Sequence, residues 1–144
     1  MKKLVIALIL CAAFAPQGAF AALRQGVNLE IISQEAVNDK CQDGKLEING
    51  CYFSKASEIY LSDDLSKYAF RRVVMHELGH YLLNDAPMKI FRGFKKYDGT
   101  RNPARERAAE RFADYILSAD DEERITKEER HLFDEALTGK YIRK

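Results

Sequence analysis

Apolar residues recur three and four positions apart from Tyr68 onward. Ala69, Phe70, Val73, Val74 and Leu78 share one side of a helix, with Arg71 and Arg72 between them. Tyr81-Leu82-Leu83 completes that helix, and Asn84-Asp85-Ala86-Pro87 stops it. A second helix opens at Asn102-Pro103, a capping residue followed by proline in the first turn, and runs to about Leu117. Its Glu106, Ala109, Ala113 and Ile116 fall on one stripe. A third begins with the capping-box signature Thr126-Lys127-Glu128-Glu129, continues with the apolar stripe Leu132, Phe133, Ala136 and Leu137, and ends at Gly139. It reads as a helix docked on the other two.

Ahead of these helices, residues 27–61 read as strands. Val27-Asn28-Leu29-Glu30-Ile31-Ile32 is rich in β-branched residues, and residues 38–44 form a polar turn cluster. Leu46-Glu47-Ile48 and Cys51-Tyr52-Phe53 flank Asn49-Gly50, which predicts a two-residue hairpin. Glu58-Ile59-Tyr60-Leu61 is a further short strand, either an edge beside the first long helix or a strand of the core. The expected fold class is α+β: a twisted antiparallel or mixed sheet, then three helices.

Residues 1–21 break this pattern. Lys2 and Lys3, an apolar run from Leu4 to Phe14, and the small residues of Ala19-Phe20-Ala21 describe a cleavable export signal. The apolar run is short for a membrane span, and no span is expected after cleavage; the alternative is an uncleaved N-terminal anchor. Residues 22–144 are then one domain with one modest core, expected as a monomer in the periplasm or outside a bacterial cell. Of 23 Lys and Arg, two leave with the leader, so 21 basic residues face 22 acidic ones. Charge gives no reason to expect a nucleic-acid partner. Cys41 and Cys51 remain, and in an oxidising compartment they are expected to pair.

The chemistry is concentrated in His76-Glu77-Leu78-Gly79-His80. Histidines four apart lie on one helical face and can offer two imidazoles to one metal ion, for which Zn²⁺ suits best. Glu77 points toward the open coordination position, where a carboxylate can act as general base. Gly79 is costly inside a helix, which makes sense if another backbone approaches closely. Leu83 and Ala86 stand three and six positions beyond His80, so a third histidine of the HExxHxxGxxH kind is excluded. The third ligand must come later. Glu106 shares its stripe with small apolar residues, and a carboxylate buried there needs a partner. Glu110, one turn on, is either a hydrogen-bond acceptor for a ligand histidine or, with Asp114 after it, the ligand itself. Tyr97, Tyr115, His131 and the loop arginines are candidates for stabilising an oxyanion, although His131 lies off its helix's apolar stripe. Residues 88–102 interleave Lys89, Arg92, Lys95, Lys96 and Arg101 with Ile90, Phe91, Phe94 and Tyr97. They form either a lid for anionic partners or a loop whose aromatics plug the core.

His76-Glu77-Leu78-Gly79-His80 followed by Glu106-Arg107-Ala108-Ala109-Glu110-Arg111-Phe112-Ala113 resembles the HExxH … ExxAxxFA pattern of the ImmA/IrrE family of zinc metallopeptidases. The resemblance covers about residues 58–118, and membrane-associated HExxH … ExxA peptidases share the same third-ligand logic. It implies a compact zincin-like fold of the gluzincin type, with Zn²⁺ on His76, His80 and Glu106 and Glu77 as general base. Two departures stand out. The family is typically cytoplasmic and cuts DNA-bound repressors, whereas this chain carries an export signal, so those substrates do not transfer. The family's Leu-Leu-Met-Pro close of the second helix is here Ile116-Leu117-Ser118-Ala119. The expected function is an exported zinc metallo-endopeptidase acting on proteins or peptides. The alternatives are a catalytically silent zinc-bound peptide-binding module and a hydrolase of cell-wall peptides.

Overall fold

The computed structural model describes residues 26–41, 48–92, 102–117 and 125–142. The leader read at residues 1–21 lies outside them, as do residues 42–47, on which the end of the predicted turn cluster and Leu46-Glu47 of a predicted strand fall, and residues 93–101 with Tyr97. Strand β1 (Asn28–Ile32) leads into helix α1 (Gln34–Cys41), and β2 (Gly50–Phe53) and β3 (Glu58–Ser62) follow as a hairpin. Then come helix α2 (Lys67–Leu82), a 3-10 turn (Met88–Phe91), α3 (Pro103–Leu117) and α4 (Lys127–Leu137). The sheet order is β1-β3-β2, with β3 parallel to β1 and antiparallel to β2. The α+β class and a mixed sheet before the helices agree with the sequence.

Two expectations inside residues 27–61 need correction, and one open alternative is decided. The segment is not all strand, because α1 occupies Gln34–Cys41, including part of the predicted turn cluster. Ser33 caps it, its Oγ accepting from Ala36 N at 3.3 Å. Asn49-Gly50 is not a hairpin turn: Gly50 opens β2 and pairs with Leu61, and the turn between β2 and β3 is residues 54–57, where Ser57 has φ +52°. A Cβ on Gly50 would lie 2.9 Å from side-chain atoms of Leu61 and Val73, so this glycine serves close packing. Of the two readings of residues 58–61, the core strand holds: β3 is central, and the edge beside α2 is β2.

Side chains alternate across β3. Ile59 and Leu61 pack with Val74, Met75 and Leu78 of α2, and with Ala113 of α3. Tyr60 turns to the other face, where Lys40 of α1 lies 4.4 Å from its ring centre and Cys41 bonds Cys51 in a disulfide. A second cluster joins Tyr81, Leu82 and Leu83 at the end of α2 to Phe112 of α3 and Leu132, Phe133, Ala136 and Leu137 of α4. All four predicted stripe residues of α4 are therefore buried, and its capping box forms in full between Thr126 and Glu129. Phe91, from the basic and aromatic loop, is also core. No helix among the described residues is long and apolar enough to cross a membrane.

Candidate metal centre

Helices α2 and α3 cross where Gly79 meets Ala109. A Cβ on Gly79 would stand 3.0 Å from Ala109 Cα and 3.2 Å from its carbonyl oxygen. Both are backbone atoms, so a side chain at Gly79 would need the two helices to part by a few tenths of an ångström. Ala109 and Ala113 are fully buried on the facing stripe. This close crossing brings Glu106 onto the imidazoles of α2. His76 Nε2 is 3.2 Å from Glu106 Oε2, His80 Nε2 is 3.3 Å from Glu106 Oε1, and the two Nε2 atoms are 3.1 Å apart. Among the described residues these three form the group able to hold a metal ion. Donors around a tetrahedral zinc at 2.0–2.1 Å stand roughly 3.3 Å apart, so the triangle has the right size and the right donor types.

Electrostatics agree. Burial alone would push the His76 imidazolium down, but hydrogen bonds to Glu106 and Glu110 override it and lift the group to about 10. Burial would raise Glu106, yet the two imidazoles hold its carboxyl well below the usual carboxylate range. The carboxylates demand a positive charge here, met by a proton on His76 or by a cation. Glu77 is 6% exposed and its carboxyl is pushed up, chiefly by burial, although His80 and His76 draw it back. Glu77 also lines a cleft of about 230 Å³ with Asn49, Gly50, Arg72, Val73, His76 and Glu110.

Glu110 is placed apart from the triangle. Its Oε2 lies 3.1 Å from His76 Nδ1, and its Oε1 meets Arg72. The His76 bond comes first among the causes that pull the Glu110 carboxyl down, against burial, to about 2. Glu110 thus meets His76 from outside the triangle, while Glu106 supplies the carboxylate oxygens within it. Asp114 takes the same arginine, with Arg72 Nη2 at 3.0 Å from its Oδ1. Two oxyanion candidates sit elsewhere. Tyr115 donates to Asp134 of α4 at 2.5 Å, and the His131 side chain is 78% exposed beside Glu135. Sequence reasoning missed Arg72, Asn49 and Gly50. Arg72 stands four residues before His76, and therefore one turn away on the same face, but that spacing fits a solvated arginine equally well.

The sequence model of the IrrE N-terminal-like domain (Peptidase_M78) matches residues 26–139. No curated protein and no solved structure matches the chain. The family match spans the sheet, both site helices and α4, and it includes all three residues of the donor triangle. The chain therefore belongs to the IrrE N-terminal-like family of peptidases.

Proposed function

We propose that this protein is a zinc-dependent endopeptidase with His76, His80 and Glu106 as zinc ligands and Glu77 as general base. One observation supports this above the others: the donor triangle stands beside a buried carboxylate that opens onto a cleft. A zinc ion in the triangle supplies a Lewis acid that polarises a peptide carbonyl and makes water acidic near neutral pH. The rest falls to the chain's own residues. Glu77 accepts the proton of the attacking water on its carboxylate and hands it to the leaving amine. Its burial raises its affinity for that proton.

The substrate's backbone is held along β2. Ser62 N donates to Asn49 O at 3.0 Å, so in the antiparallel register Gly50 turns its own N–H and C=O away from β3. Gly50 also lines the cleft. An extended peptide pairing there would pass in front of Glu77, by the strand-addition mode that many peptide-binding clefts use. We also place the protein in an oxidising compartment, outside the cytoplasm. The paired Cys41 and Cys51 and the leader-like residues 1–21 support that location.

Purified wild type and Glu77→Gln, each assayed for zinc and for cleavage of an unfolded protein mixture, test the reading. The wild type should cleave, and the variant should hold zinc while losing at least about 100-fold in rate. Full activity in the variant would remove Glu77 from the mechanism. Zinc in both with cleavage in neither would favour a zinc-bound peptide-binding module.

A further inference from the structure

We propose that Arg72 is a positioning residue for the metal centre, acting through Glu110 on His76; this rests on the zinc reading above. Arg72 and His76 lie one turn apart on α2, and Glu110 and Asp114 lie one turn apart on α3. Where the two helices face each other, a continuous line of contacts forms. Arg72 Nη2 bonds Glu110 Oε1 and lies 3.0 Å from Asp114 Oδ1. The other oxygen of Glu110 accepts from His76 Nδ1 at 3.1 Å. The far nitrogen of that ring, Nε2, is the atom that enters the donor triangle.

Each oxygen of Glu110 thus has its own partner, and the carboxylate is held at both ends. A proton kept on Nδ1 leaves the Nε2 lone pair directed at the metal position. Remove Arg72, and Glu110 loses the cation on its Oε1, while Asp114, a like charge one turn along the helix, still faces Arg111 Nη1 at 3.8 Å. Glu110 is then free to turn away from Nδ1, and His76 loses the contact that fixes its ring.

A stabilising role for the ion pair explains less. The Arg72 and Glu110 side chains are 34% and 31% exposed, and pairs so open to water add little to folding. What sets this pair apart is its end point, the ring of a residue in the donor triangle. Arg72 bonds Glu110 and Asp114, and the chain of contacts from it to the donor triangle runs through Glu110 to His76.

The test is zinc affinity of the full chain, measured by competition with a chromophoric chelator. The proteins are wild type, Arg72→Met, Arg72→Gln, Glu110→Gln and the double variant Arg72→Met with Glu110→Gln. Visible spectra of the cobalt-loaded forms provide a readout that loss of a stabilising ion pair would leave unmoved. Both Arg72 variants should bind zinc about 10-fold more weakly, and Glu110→Gln about 10- to 100-fold. The double variant should bind no more weakly than Glu110→Gln alone, and the cobalt bands of Arg72→Met should shift toward those of Glu110→Gln. Additive losses, or wild-type affinity with unchanged cobalt bands in both Arg72 variants, would overturn the proposal. A wild type that binds no zinc would overturn the metal reading, and this proposal with it; the wild-type titration separates the two failures.

Discussion

Glu106 and Glu110 are one turn apart on the same helix, yet one meets both imidazoles and the other meets the back of a single ring. That difference predicts different losses. Glu106→Gln should weaken zinc binding far more than Glu110→Gln, by chelator competition, because it removes a charged donor and not its support. His131→Ala, on the exposed side of α4, should leave zinc binding and cleavage unchanged. Much of this scale was legible in the sequence. The four-residue spacing of His76 and His80 fixes them on one face whatever surrounds them, and the small residues around Glu106 marked its stripe as buried. Arg72 was not legible as part of the site. An arginine at helical spacing reads as a solvated face until the partner helix supplies the carboxylates it meets.

Helix α1 shows where pattern reading fails at the scale of elements. It has eight residues, and Val37 alone is buried, so no period of 3.6 can establish itself over so short a span. Asn49-Gly50 misled for another reason: Gly50 is required by the side chains of Leu61 and Val73 against it, not by a turn. Gly79 was read for the reason that holds, close approach of a second backbone. Gly79→Ala should therefore destabilise the fold despite alanine's better helix propensity. A loss of about 1–3 kcal/mol is expected in urea unfolding, since Cβ would press on Ala109 backbone atoms. It should also weaken zinc binding, because the triangle spans both helices. Equal or greater stability would mean that the crossing is looser than described.

At the scale of the molecule, two fastenings hold the elements around the cleft. The Cys41–Cys51 disulfide, ten residues apart in sequence, ties α1 to β2, the strand that walls the cleft at Gly50. Replacing both cysteines by serine should cost about 2–3 kcal/mol, as expected for a short closed loop. On the far side, Arg111 of α3 grips Glu129 of α4 with two bonds, 2.8 and 2.7 Å, and Thr126 N adds a third at 2.9 Å. Burial would raise the Glu129 carboxyl, but these donors outweigh it and hold it below its ordinary value. A carboxyl lowered by folding stabilises the fold above its unfolded pKa, and that contribution is lost as pH falls through the folded one. Glu129→Gln should thus cost about 2 kcal/mol at pH 7, with the gap to wild type closing as acid protonates the carboxyl. X-ray absorption at the zinc edge of the purified protein tests whether His76, His80 and Glu106 together hold one zinc ion. One zinc per chain is expected, with two imidazole nitrogens and oxygen donors at about 2.0–2.1 Å and no sulfur. A zinc–sulfur distance near 2.3 Å, or a spectrum without imidazole scattering, would contradict it.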